Sequence, residues 1–299
     1  MPGDTVEHII GEDEYLRLLA SRPEVIDEVR AEYGLDKSAA EQYIIYLGKT
    51  LRMDFGNSFR TKLPVLETVL SCMGWTLLLA VPATVLAAFL GGWLGLRAGW
   101  SPKKTLDTVV SSIMMLILTV PANCIAIICL MVFSFTLRIF PLSGVTSGGL
   151  TGISKAFDIL WHMTLPLCIL TLSKTASNFM LMRNTVVSVR NDEYLTVALS
   201  KGIGESRVRR SHLLKNALSP FITSVCMQFG QIISGSMMIE VVFSWKGMGT
   251  LIYSSVNTKD FPMLQTCFLF IGISIIAFNL LADIINLYLD PRTRRQADV

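Results

Sequence analysis

The sequence predicts an all-α protein, a polytopic bundle of membrane-spanning helices. Of its 299 residues, 52% are hydrophobic and 16% charged, whereas soluble domains carry roughly a quarter charged residues. The apolar residues also gather in long runs. Residues 68–96, 108–137, 216–239 and 261–282 contain no Asp, Glu, Lys or Arg. Each run exceeds the ~20 residues that a helix needs to cross a hydrocarbon core of ~30 Å. The run 159–182 is a fifth, interrupted only by His162 and Lys174. Spans of this length with no water to satisfy the backbone must be helical. The expected spans are about 68–96, 108–137, 159–182, 216–240 and 261–289, within a transmembrane domain 65–299.

Charge orients the spans. Segments 97–107, 183–215 and 290–299 hold three, seven and three of the 26 Lys and Arg. Segments 138–158 and 240–260 hold two each. The two sets alternate along the chain, so the positive-inside rule places the first set in the cytoplasm and the second outside. Residues 1–64 then lie outside and the C-terminus inside. The N-terminal segment carries twelve acidic and eight basic residues, a balance that does not oppose export. Its first residues have no basic start and no apolar stretch of a signal peptide. The expectation is therefore that a membrane helix preceding residue 1 is missing from this sequence.

Segment 1–64 reads as an extracytoplasmic helical segment, too short to bury a sizeable core alone. Pro23 suits the first turn of a short helix over 23–34, and Gly34 suits its C-terminal cap. Tyr43, Ile44, Leu47 and Leu51 place an amphipathic helix over 41–53. Asp54-Phe55-Gly56-Asn57-Ser58 is a turn. Pro82, Pro121 and Pro166 fall inside three spans and each removes a backbone hydrogen bond, which permits a kink. Gly91, Gly92 and Gly95 permit close helix approach. The six cysteines all lie in apolar runs without CxxC spacing, the pattern of core-packing residues.

The polar insert 183–215 is the segment that points to function. Asn191, Asp192 and Glu193 supply capping oxygens and negative charge at a helix start. Tyr194, Val197, Ala198 and Lys201 follow at helical spacing on one face, and Gly202 and Gly204 end that helix. Residues 205–218 form a second helical pattern with Val208, Leu214 and Leu218 inward and Arg207, Arg209, Arg210 and Lys215 outward. This is the layout of a helix–turn–helix docking element, with small residues at 198 and 202 that let a partner approach. An ordinary loop whose basic residues only set topology fits the same residues.

The run from Tyr194 to Gly202, followed by His212-Leu213-Leu214-Lys215-Asn216-Ala217-Leu218-Ser219-Pro220, resembles the EAA-type coupling loop of bacterial ABC importer permeases. The likeness is to the dipeptide, oligopeptide and nickel group. The EAA triplet falls on Thr196-Val197-Ala198, so its glutamate is absent, as is usual in that group. Pro2-Gly3-Asp4, Tyr33-Gly34-Leu35-Asp36, the turn 54–58, Pro64-Val65 and Val120-Pro121 match further family stretches. So do Phe243-Ser244-Trp245-Lys246-Gly247-Met248-Gly249 (with lysine for proline), Asp260-Phe261-Pro262 and Asp290-Pro291-Arg292. The resemblance covers nearly the whole chain. It implies a helical bundle of the type I ABC importer permease kind, in which a sixth helix precedes the first matched stretch.

It also implies partners: a second homologous permease subunit, two ABC ATPase subunits or domains, and an extracytoplasmic solute-binding protein, assembled in the bacterial inner membrane. The coupling residues it implies are Glu193, Tyr194, Thr196, Val197, Ala198, Lys201, Gly202, Glu205 and Arg209. The carried solute would be a di- or oligopeptide, or a related small solute such as nickel. No GxxxxGK[ST] phosphate loop occurs in the sequence, so ATP and Mg²⁺ are expected on a partner, with no catalytic residue, cofactor or metal site on this chain.

The residues alone leave open an ATP-independent carrier or channel with a regulatory loop. They offer no HExxH, nucleophile triad or paired carboxylates for catalysis within the membrane. Ionisable groups at bilayer depth mark functional sites by default, which makes Lys174 a pathway candidate. Glu240 and Asp283, near span ends, read as capping or pairing groups, and a lone His162 is weak evidence for metal handling.

Overall fold

The computed structural model describes residues 5–32, 35–100, 104–193, 197, 200–202, 204–208 and 213–289. All its named elements are helical: α1 (Thr5–Ile10), α2 (Glu12–Ser21), α3 (Pro23–Glu32), α4 (Ala39–Leu51), α5 (Val65–Trp100), α6 (Lys104–Thr119) and α7 (Ala122–Cys129), which runs on into a π-helical turn at Leu130–Thr136. Then follow α8 (Gly152–Arg190), α9 (Glu205–Val208), α10 (Leu214–Gly230), α11 (Ile232–Val242), α12 (Met248–Asn257) and α13 (Phe261–Leu289). Helices α5, α8 and α13 are each long and apolar enough to cross a membrane. Two further spans are broken: α6 meets α7 at 90°, and α10 meets α11 at 57°. The expected count of five holds if each broken pair is one span.

The chain forms two compact units, Met1–Met73 with Leu251–Phe270 and Gly74–Thr250 with Ile271–Val299. In the first, α4 opens on a capping box. Ser38 N–H donates to Glu41 Oε2 at 3.1 Å, and Glu41 N–H donates to Ser38 Oγ at 3.4 Å. These reciprocal bonds satisfy donors that the first helical turn leaves free. The Ser38 bonds hold the Glu41 carboxyl below its ordinary range. The amphipathic face of α4 is uncovered: Tyr43, Ile44, Leu47 and Leu51 are all exposed. The turn 54–58 is tied to a distant motif. Buried Asp260 accepts from the Ser58 hydroxyl and from Phe59 N–H, and Asn57 bridges Pro64.

The second unit has two apolar cores at opposite ends of α8. One gathers Leu79, Ala83, Met163, Ile169, Ile239, Phe243 and Trp245. The other gathers Met182, Val186, Val208, Leu213, Ala217 and Phe221. Glycines let α5 lie against α8. A Cβ on Gly91 would stand 2.6 Å from Asn178 Cβ, one on Gly95 2.7 Å from the Phe179 carbonyl, and one on Gly99 2.8 Å from Val186 Cβ. The spacing 91, 95, 99 makes one face, so Gly91 and Gly95 do what the sequence implied and Gly99 extends the stripe. Gly92 sits off that face, against Phe221. Exposed Phe89, Leu116 and Ile276 suit contact with lipid, which solvates apolar side chains.

The prolines act unequally. Helices α5 and α8 continue through Pro82 and Pro166, whereas Pro121 stands at the break and caps α7. The expected single helix over 108–137 is thus two helices. The break between α10 and α11 falls at Gln231 and needs no proline. There, Gly230 lets α13 approach (a Cβ would stand 3.2 Å from Ile275 Cα), and Phe229 stacks on Phe278 at 5.8 Å.

Candidate functional site

The docking segment begins where α8 ends at Arg190 and the backbone turns over Asn191. Of the coupling residues named from the sequence, Tyr194, Thr196, Ala198 and Arg209 lie outside the described residues. Glu193, Val197, Lys201, Gly202 and Glu205 are described, and all five are exposed. Lys201 N–H donates to Val197 O at 3.0 Å, the last helical bond before the turn. Gly202 follows at φ +77°, a left-handed conformation that favours glycine. Gly204 O then accepts from Arg207 and Val208 N–H, which starts α9.

The far side of this turn is anchored. Val208 and Leu213 are completely buried, in the core formed with Met182, Val186, Ala217 and Phe221. The sequence placed Val208, Leu214 and Leu218 inward. Val208 is so placed, but Leu213 takes the buried position, and Leu214 and Leu218 are only partly buried. Val197, by contrast, is 52% exposed.

Cationic side chains surround the same end of α8. Arg183 pairs with Asp107 through two bonds of 3.0 and 2.6 Å, clasping α8 to α6. The Arg97 guanidinium lies 4.1 Å above Trp93, and Arg190 lies 5.7 Å from Trp100, both within cation–π reach. The clasp had no local sequence signal, because its partners are 76 residues apart.

Near the middle of α8 lies a cavity of about 360 Å³. Ile117, Leu118, Val120, Pro121 and Ala122 form its apolar wall at the α6–α7 break, and Ser173, Lys174, Ser177 and Gln228 form a polar one. Lys174 Nζ donates to Thr84 Oγ1 at 2.7 Å, and Thr84 donates in turn to Ala80 O. Gln228 and Asn178 exchange amide bonds of 2.7 and 3.4 Å. Lys174, named from the sequence, is therefore brought to a cavity. Thr84 and Gln228 carried no signal that would have singled them out.

At the other end of α8, Glu240 is fully buried and organises a loop. Its carboxylate accepts from Thr76 Oγ1 (2.8 Å), Ser236 Oγ (2.8 Å) and Gly249 N–H (2.7 Å). A Cβ on Gly247 would collide with that carboxylate, and one on Gly249 would stand 2.5 Å from Met237 Cα. The Trp245 indole donates to Trp75 O at 2.9 Å. The glycines of 243–249 thus serve close packing about Glu240, the pairing role expected for it. Asp283 is exposed. His162 is held by Asp158 O at 2.8 Å, while Asp158 also accepts from Thr146 and Ser147. Among the described residues no three His, Cys, Asp or Glu side chains gather as metal ligands would.

Three long apolar helices and two broken spans define the class: a multi-pass membrane protein. Two solved structures share the fold. One is an amino acid ABC transporter with histidines, at TM-score 0.58 and 15% identity over 74% of this chain and 94% of that one. The other is the MetNI methionine ABC transporter in inward-facing conformations, at TM-score 0.55 and 14% identity over 76% and 98%. Residues 91–295 match the family of binding-protein-dependent transport system inner membrane components. The chain is 31% identical to a putative peptide permease protein of Brucella suis biovar 1 over 98% of its length and 90% of the relative's. It is 31% identical to the oligopeptide transport system permease protein AppB of Bacillus subtilis over 87% and 82%. It is 27% identical to the dipeptide transport system permease protein DppB of Alkalihalophilus pseudofirmus over 98% and 91%. The chain belongs to this family, as a permease subunit of an ABC importer.

Proposed function

We propose that this permease carries di- or oligopeptides, in alternating access driven by ATPase subunits that dock on the turn 193–209. The peptide permeases among its relatives support the solute class, and nickel remains only the wider group's second cargo. One observation carries the coupling role. The exposed turn at Val197 and Gly202 leads within eleven residues to Val208 and Leu213, which are buried between α8 and α10. A push on the turn would therefore act close to side chains packed against the ends of two spans.

Val197 and Gly202 are exposed and open to an ATPase groove, and Tyr194, Thr196 and Ala198 are the further residues of that segment assigned to the contact by the family resemblance. Exposed Glu193, Lys201 and Glu205 set the charge around it, and Arg209 is the further cation assigned by the resemblance. ATP and Mg²⁺ bind on that partner. The basic segments face the cytoplasm with the C-terminus, while residues 1–64 and the loop around Glu240 face a solute-binding protein. A second, similar permease completes the pathway on the side of Lys174.

Co-expression with the neighbouring genes tests the docking. The wild-type chain should co-purify with an ATPase. Gly202→Arg should insert normally and lose that partner, while Gly202→Asn, which tolerates the left-handed backbone, should retain it. A wild-type chain that purifies without any ATPase would favour an ATP-independent carrier.

A further inference from the structure

We propose that Lys174 is a cationic subsite of the translocation pathway, one that receives a carboxylate of the carried solute. This rests on the peptide reading above and goes beyond it, since it assigns a residue and a preferred charge to the pathway. Lys174 is the one Asp, Glu, Lys or Arg in 159–182. It stands nine residues before Arg183, the first charge beyond the run, about 13 Å along the helix, with its ammonium turned to Thr84 on α5.

A charge at that depth is costly unless it faces water or a partner. Among the described residues, no carboxylate lies within 4.0 Å of its ammonium. It donates to a neutral hydroxyl, Thr84 Oγ1, which accepts one of its three N–H bonds. That bond fixes the ammonium at the wall of the cavity and leaves donors for a ligand.

The surroundings suit one kind of ligand group. Ser177 and Gln228 line the same wall, and the Ser177 hydroxyl and the second N–H of the Gln228 amide can donate to an oxyanion beside Lys174. The facing wall of Ile117, Leu118, Val120, Pro121 and Ala122 is apolar, so it tolerates side chains without reading them. A volume of about 360 Å³ lies within the range of small-molecule sites. Every peptide with a free C-terminus has a carboxylate, whatever its sequence. A single ammonium in a permissive apolar pocket therefore recognises the class and not the member. The same ammonium repels a free divalent cation, so the subsite disfavours nickel as an uncomplexed ion.

Proteoliposomes holding the whole transporter and its binding protein provide the test, with trialanine and trialanine amide as probes. ATP-driven uptake by the wild type should favour the free acid about tenfold, as a charge-assisted bond would. Lys174→Met should bring the two within twofold, and Lys174→Arg should restore the preference. An acid-to-amide ratio that Lys174→Met leaves unchanged overturns the proposal.

A second readout needs no solute. In a chain with its six cysteines replaced and Ser177→Cys introduced, an anionic methanethiosulfonate should react about fivefold faster, relative to a cationic one, than it does when Lys174→Met is added. Equal ratios with and without Lys174 overturn the proposal. Uptake of neither peptide, with the thiol ratio as expected, overturns the peptide reading and upholds the cationic subsite.

Discussion

Glu240→Ala removes one acceptor from three donors. The Ser236 hydroxyl keeps a fallback, since it also reaches Ile232 O at 3.1 Å. Thr76 still accepts from Met248 N–H at 2.8 Å, but its own proton loses its partner. Gly249 N–H, in the first turn of α12, loses the carboxylate that caps it. Two buried donors are thus stranded, at about 1–3 kcal/mol each. Loss of an anion at a helix N-terminus adds about 0.3–1 kcal/mol. Removing a buried charge also relieves its desolvation, so the lower part of that range applies, about 2–4 kcal/mol. Glu240→Gln keeps one acceptor and the shape but turns an amide donor toward Gly249 N–H, at about 1–2 kcal/mol. Thermal unfolding of the purified chain in detergent, followed by tryptophan emission, reads the difference. At about 2–4 °C per kcal/mol, alanine should lower the midpoint by about 4–16 °C and glutamine by about half as much. A Glu240→Ala midpoint within 1 °C of wild type, or a larger drop for glutamine than for alanine, would refute the capping role.

Gly95→Leu should separate α5 from α8, because even a Cβ there stands 2.7 Å from the Phe179 carbonyl. An overpacking cost of about 1–3 kcal/mol or more should show as lost monodisperse protein on size exclusion, with Gly74→Leu, in open space, as the tolerated control. The capping box of α4 should respond to pH. Its bonds hold the Glu41 carboxyl below the usual range, so its contribution is complete above the unfolded glutamate pKa and disappears as pH falls through the lowered folded value. Hydrogen exchange of residues 39–43, corrected for intrinsic rates, should therefore speed up on acidification below about pH 4, and Ser38→Ala should show that faster exchange already at neutral pH.

The spans were legible because uncharged runs of this length have one physical solution in lipid. Their breaks were not. Val-Pro-Ala occurs twice, at 81–83 and at 120–122. The first lies within a continuous α5, with Ala83 buried in the core. The second marks a 90° break, with Pro121 lining a cavity. Identical local preferences gave opposite outcomes, so packing decides and the tripeptide does not. The docking turn was legible at Gly202, where the backbone requires a left-handed residue, and its anchor at Val208 followed from helical spacing. The shift of the second anchor from Leu214 to Leu213 depends on the helix start at the end of the insert, which spacing alone does not fix. Lys174 and Glu240 stood out as charges in apolar runs. Their partners, Thr84 and Thr76, are hydroxyls among many, chosen by tertiary contact.

ATP-driven accumulation tests the account most directly. The chain, its partner permease, the ATPases and the binding protein are reconstituted into liposomes, with trialanine offered on the binding-protein side and ATP on the other. The account predicts accumulation above the external concentration, abolished by Gly202→Arg or by withholding ATP. Equilibration of the peptide at the same rate with and without ATP would contradict it.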